Sequence, residues 1–153
     1  MQLPEGSWNL KVAGRGLAAY ERYLHTRYKV PDIEFLGYVE PEVLLSEVDV
    51  LVVPSIWHEP FGRVIVEAYA HGVPVVGSNR GGIPELIEEG HTGFLFDPAR
   101  SESLTTKMQR FIEKPHLVSA MQAACLRKAD ESFLPEDVVE QYLEVYADAL
   151  GSF

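Results

Sequence analysis

A single cysteine, Cys125, occurs among the 153 residues, which excludes an internal disulfide and any cysteine-built zinc site. Its neighbours Met121, Ala123, Ala124 and Leu126 make a buried or half-buried thiol the expectation. No apolar run approaches the roughly 18 residues that span a bilayer. The opening residues Met1 to Gly6 show no basic stretch followed by an apolar one, so no signal peptide is expected and a cytoplasmic location is. Positive charge is also scarce: 13 Lys and Arg face 23 Asp and Glu, a formal net charge of -10. Such a surface repels phosphate backbones and anionic lipid, so neither nucleic acid nor a membrane surface is an expected partner. A small anionic ligand is not excluded, because a helix N-terminus holds phosphate whatever the global charge.

What is there has the make-up of a soluble globular protein, 46% apolar and 24% charged. The length is that of one domain with a sizeable core. Short β-rich runs at 9–13, 33–36, 50–53, 73–76 and 93–96 alternate with helical patterns near 16–28, 41–48, 61–71 and 83–89. None of the runs alternates strictly between apolar and polar residues, as expected of parallel strands covered on both faces. That order predicts an α/β, doubly wound, mainly parallel sheet over about residues 8–98. Beyond Asp97-Pro98 the pattern is helical. Ser101 reads as the N-cap of a helix ending before Pro115, and helices follow at 116–131 and 135–150. The last carries Val138, Val139, Tyr142, Leu143, Val145, Tyr146 and Leu150 at helical spacing, a packing stripe rather than a ligand box. With no repeat or linker, residues 1–153 read as a single domain.

The segment Pro54-Ser55-Ile56-Trp57-His58-Glu59-Pro60-Phe61-Gly62-Arg63-Val64-Ile65-Val66-Glu67 leaves a strand and enters a helix for which Pro60 suits the first position. In open α/β sheets ligands bind at the carboxyl ends of strands. There the amides of Phe61, Gly62, Arg63 and Val64 have no partner within the helix and favour a phosphate. Gly62 lets a ligand approach the backbone. Glu67 sits in an otherwise apolar helix, so it needs a cation or donors such as ribose hydroxyls. An i,i+4 ion pair with Arg63 would satisfy it equally. Glu59, just before a helix, also reads as an ordinary cap. A second loop, Gly77-Ser78-Asn79-Arg80-Gly81-Gly82-Ile83-Pro84-Glu85, offers further free amides at the same edge, or simply a tight turn.

Together these residues resemble the retaining glycosyltransferases of the GT-B fold, group 1 (family 4). The resemblance rests on Glu59 and Glu67 with seven residues between them, the first three Pro60-Phe61-Gly62, followed by Ala70-His71-Gly72-Val73-Pro74-Val75-Val76, Gly81-Gly82-Ile83-Pro84-Glu85 and Gly93-Phe94-Leu95-Phe96-Asp97-Pro98. Upstream, residues 33–39 look like the family's strand before its base-binding loop. The match runs in order from about residue 10 to 150. It implies a Rossmann-like C-terminal, donor-binding domain. Glu59 would be the catalytic-site acid meeting donor sugar hydroxyls, with Pro60 and the Phe61 and Gly62 amides alongside. Glu67 would accept from ribose hydroxyls, the Val64 and Ile65 amides would face the diphosphate, Gly37 and Tyr38 would border the base, and Gly81 and Gly82 would complete the donor site. The implied ligand is a UDP-, GDP- or ADP-sugar, with no cofactor and no metal.

The resemblance also has gaps. The family's acceptor domain has no counterpart here, nor has the opening strand and helix of the donor domain, which carry an Arg and a Lys on the diphosphate. That strand is central in the family order 3-2-1-4-5-6. Its loss is expected to expose two strand edges or force them to pair, favouring a homodimer or a complementary partner chain. Two other readings remain. Gly14-Arg15-Gly16-Leu17-Ala18-Ala19 fits the G-x-G-x-x-A turn of a dinucleotide-binding domain, with Glu40 as its acid. A non-catalytic nucleotide-sugar-binding module needing a partner is the second.

Overall fold

Every strand pair in the computed structural model, which describes residues 3–132 and 135–151, is parallel. The elements in order are β1 (Leu10–Ala13), α1 (Ala18–Arg27), β2 (Ile33–Gly37), α2 (Pro41–Leu45), β3 (Leu51–Val53), α3 (Arg63–Ala70), β4 (Val75–Ser78), α4 (Ile83–Leu86), β5 (Gly93–Phe96), α5 (Ser101–Glu113), α6 (His116–Ser132) and α7 (Pro135–Gly151). This is the expected α/β alternation with three helices after the last strand.

The strands form two sheets, not one. β1 pairs with β2, while β3, β4 and β5 form the second sheet in that order. β1 and β3 do not pair with each other, so each presents an edge where the expected central strand would lie. Of the two outcomes expected for that missing strand, exposed edges are the one found. Lys11 on β1 forms an ion pair with Glu47, just after α2.

The three-stranded half holds the core. All four residues of β4 are buried, and successive residues point to opposite faces. Val75 packs with Ile65, Ala68, Tyr69, Ile83 and Cys125 on one face. Val76 packs with Phe94, Phe96, Phe111 and Met121 on the other. Helices thus cover both faces, which is why the strand reads as a continuous apolar run. Each fully buried Val or Ile contributes about 1.5–3 kcal/mol. By contrast α1 buries none of its residues, and Tyr20 and Tyr23 are exposed on it.

Several boundaries differ from expectation for local reasons. Residues 73–74 are not strand: Val73 donates to Ala68 at the end of α3, and Pro74 has no N–H to give. β4 instead runs on through Gly77 and Ser78, paired with Leu95 and Phe96. α3 begins at Arg63 rather than 61, because Gly62 at its N-cap is left-handed, φ 82°. Pro60 therefore lies in the turn before the helix and is not its first residue. At α5 the cap position is Arg100 and Ser101 is the first helical residue. α2 stops at Leu45, where the Ser46 hydroxyl donates to the Val43 carbonyl. α4 stops at Leu86, where Ile87 turns extended. The stripe on α7, expected to pack, is exposed at Val138, Val139, Tyr142, Leu143, Val145, Tyr146 and Leu150.

Candidate functional site

The loops that leave β3 and β4 are bound to each other at the carboxyl ends of two neighbouring parallel strands. The Ser78 hydroxyl, buried, donates to the Ser55 carbonyl at 2.7 Å. The Gly82 amide donates to the Glu59 carbonyl at 2.7 Å. Gly81 is left-handed at φ +55°, and a Cβ placed on it would lie 2.3 Å from the Glu59 carbonyl oxygen. A Cβ on Gly82 would lie 2.5 Å from the Pro60 carbonyl oxygen. Only glycine fits at both positions. The Gly-Gly pair therefore does more than turn the chain: it lets the second loop lie against the backbone that carries Glu59.

Within this assembly Glu59 is half-buried and its Oε2 accepts from Trp57 Nε1 at 2.9 Å. That leaves Oε1 for another partner. Phe61 and Val64 are exposed beside it, and Pro60 is exposed in the turn. Val64 is the second residue of α3, where an amide has no acceptor within the helix. Ile65 differs from expectation. Its amide donates to the Gly62 carbonyl at 2.9 Å and its side chain is wholly buried, so it does not face a ligand. That bond is a tight i→i+3 contact of the 3-10 type, common at helix N-termini.

Glu67 is also not buried as expected. Its side chain is 36% exposed, and its Oε1 lies 3.8 Å from Nη2 of Arg63, itself 87% exposed. The apolar residues of α3 point to the core and leave Glu67 on the open face, one turn below Arg63. An ion pair that long and that exposed contributes little to stability. It leaves the Glu67 carboxylate open to other donors.

Gly37 and Tyr38 stand at the end of β2, on the two-stranded sheet. Gly37 is left-handed, φ 67°, and its carbonyl accepts from Gly14 at 2.6 Å. The Tyr38 hydroxyl donates to Glu40 at 3.1 Å, and the hydrogen bond to that carboxylate holds the phenol above its ordinary 10.0. The structure thus brings the 57–67 and 79–82 segments together, with Gly37 and Tyr38 on the neighbouring sheet. Trp57 and Ser78 were not singled out by spacing. Their contribution depends on how the two loops meet, which no motif encodes.

A cleft of about 310 Å³ lies elsewhere, lined by Gly14, Arg15, Gly16, Tyr20, Glu21 and Phe35 among others. It coincides with the G-x-G-x-x-A segment. The Gly16 amide at its mouth is already taken by Oε1 of Glu21 at 2.7 Å. That amide is therefore not free for a dinucleotide pyrophosphate. Among the described residues no three of His, Cys, Asp and Glu converge as a metal site, and no helix is long and apolar enough to cross a membrane.

Parallel strands, covered faces and two bound loops at the carboxyl edge define a Rossmann-like α/β domain of the kind found in GT-B enzymes. The chain belongs to the group 1 glycosyltransferases, whose family model matches residues 2–114. It is 32% identical over 133 residues to spore coat protein SA of Bacillus subtilis, covering 83% of this chain and 35% of that protein. It is 38% identical over 105 residues to a D-inositol 3-phosphate glycosyltransferase of Rhodococcus opacus, covering 69% of this chain and 23% of that one. Among solved structures it is similar to Anabaena Alr3699/HepE in complex with UDP-glucose, TM-score 0.80 and 30% identity, covering 92% of this chain and 41% of that one. Sucrose-phosphate synthase from Thermosynechococcus elongatus matches with TM-score 0.79 and 27% identity, covering 95% and 39%. The chain thus spans between 23% and 41% of the length of these proteins.

Proposed function

We propose that this chain binds a nucleoside-diphosphate sugar at the joined ends of β3 and β4, serving retaining transfer of the sugar to an acceptor hydroxyl. The observation that carries the proposal is the backbone contact between Gly81-Gly82 and Glu59-Pro60, which fixes Glu59 beside the open end of α3. Glu59 meets the sugar hydroxyls, Glu67 the ribose hydroxyls, and the amides near Phe61 and Val64 the diphosphate. Gly37 and Tyr38 border the base. Support comes also from the UDP and UDP-glucose carried by Anabaena Alr3699/HepE, which makes UDP the first nucleotide to try, with GDP and ADP beside it. The reaction as proposed calls for no metal or cofactor: fixed amides at the start of α3 face the charge of the departing diphosphate.

The described strands supply the donor side alone, so activity is proposed to need a partner that binds the acceptor. That partner is a complementary chain or domain, or a second copy of this chain. Until it is supplied the chain acts as a binding module. The test is calorimetric titration of UDP, GDP and ADP into the chain, followed by assay of donor hydrolysis. Binding of one nucleotide without turnover is expected. Gly81→Ala should abolish that binding, since a left-handed alanine costs about 1–3 kcal/mol and its methyl would collide with Glu59. A wild-type chain that binds none of the three nucleotides, or a Gly81→Ala chain that binds as the wild type does, would overturn the proposal.

A further inference from the structure

One basic residue at this edge has no role in the site as described so far. Arg80 lies between β4 and Gly81, in the loop that rests on Glu59. Its backbone is held at both ends: its amide donates to the Ser78 carbonyl at 2.9 Å, and its carbonyl accepts from Ile83 at 3.2 Å. The residue is half-buried, and its Nε is shut off from solvent with no hydrogen-bond partner. The ion pairs among the described residues engage Lys11, Arg63, Lys107 and Lys128 but not Arg80. Among the described basic side chains Arg80 is the one with a buried nitrogen that has no hydrogen-bond partner. Closing part of a guanidinium off from water without a hydrogen-bond partner is costly.

We propose that Arg80 is the counter-charge for the donor diphosphate. This rests on the donor-site reading above. The adjacent Gly81 lies against the backbone of Glu59, the residue assigned to the sugar, and on that contact Arg80 is assigned to the phosphate that carries the sugar. A planar guanidinium suits that group, because it offers paired donors to two phosphate oxygens. The assignment gives the site a cation from within the described residues, on the loop after β4. It also explains why an arginine is held by its backbone on both sides yet left unpaired: the loop keeps the cation in place before the anion arrives.

The experiment compares uridine, UMP and UDP binding by calorimetry in the wild-type chain and in Arg80→Gln, at two ionic strengths. Loss of the cation is expected to weaken UDP about tenfold, to weaken UMP less, and to leave uridine unchanged. The salt dependence of UDP binding should become shallower. Inorganic pyrophosphate should compete with UDP in the wild type and much less in the variant. Parallel loss of uridine and UDP affinity would mean that Arg80 only supports the loop, and overturns the proposal. So does an Arg80→Gln chain that binds UDP like the wild type. A wild-type chain that binds no nucleotide strikes the donor-site reading first, which separates the two failures. If Arg80→Gln does not fold, Arg80→Lys takes its place: it keeps the charge but loses the fork, and UDP should weaken while uridine holds.

Discussion

The hydrogen bond from Trp57 Nε1 to Glu59 Oε2, at 2.9 Å, sets how the proposed sugar-binding acid presents itself. One carboxylate oxygen is committed to the indole and the other is left open. Replacing Trp57 with Phe keeps a large apolar ring and removes the donor. The expected result is a threefold to tenfold loss in UDP-glucose affinity, the worth of about 0.5–1.5 kcal/mol, with UDP affinity unchanged. Titrating both ligands side by side checks this. Equal losses for the two would show that Trp57 shapes the loop and not the carboxylate. At this scale the sequence singled out Glu59, Gly81 and Gly82 by type and spacing, and the structure brings their backbones into contact. The sequence did not reveal that Glu67 is open rather than buried. Which face of α3 turns to the core depends on where Gly62 starts the helix, and that start lies two residues later than the apolar pattern suggests.

Elements were legible to the degree that local chemistry set them. The run 93–96 matches its expected bounds and α5 ends at Glu113 as expected, because Gly93, Pro98 and Pro115 punctuate them; α5 begins one residue early, at Ser101. The strand at β4 was displaced because Pro74 cannot donate to a ladder, and because pairing with β5 draws Gly77 and Ser78 into the sheet. Packing between elements is less visible from sequence. Tyr69 on α3 is wholly buried, its hydroxyl donating to the Leu86 carbonyl at 3.2 Å and lying 2.9 Å from the Thr92 hydroxyl. Cys125 on α6 lies beneath the same group, as expected of its neighbours, and its thiol reaches the Thr92 carbonyl. Burial pushes the thiol from an ordinary 9.0 up to about 12, and it raises the phenol above its ordinary 10.0. Both groups stay protonated in the fold where they ionise in the unfolded chain. The unfolded chain therefore binds fewer protons above pH 9, and stability falls as pH rises from about 9 towards 12. Denaturant melts at pH 8, 9.5 and 10.5 should show that decline. A Cys125→Ala chain should show a shallower one, since the thiol's share is removed. Identical slopes in the two chains would mean that the thiol contributes nothing.

For the whole molecule, the governing feature is the break between the β1–β2 sheet and the β3–β4–β5 sheet. The α/β class followed from alternation of strands and helices, and the unpaired β1 and β3 edges were expected from comparing strand order with the family. The alternation alone could not give the split, since pairing between β1 and β3 would have preserved the same sequence pattern. Two unpaired edges carry rows of free N–H and C=O groups, which invite another strand. The exposed stripe on α7, with Val139, Tyr142, Leu143 and Tyr146, adds apolar surface. A chain of 17.1 kDa built in this way is expected to associate with itself or with a chain that supplies the central strand. Light scattering across a concentration series should give a mass that rises above the monomer. Val139→Glu with Leu143→Glu separates the two surfaces: association through the strand edges survives that change, and association through α7 does not. A monodisperse monomer with a high melting temperature would show that neither surface needs covering.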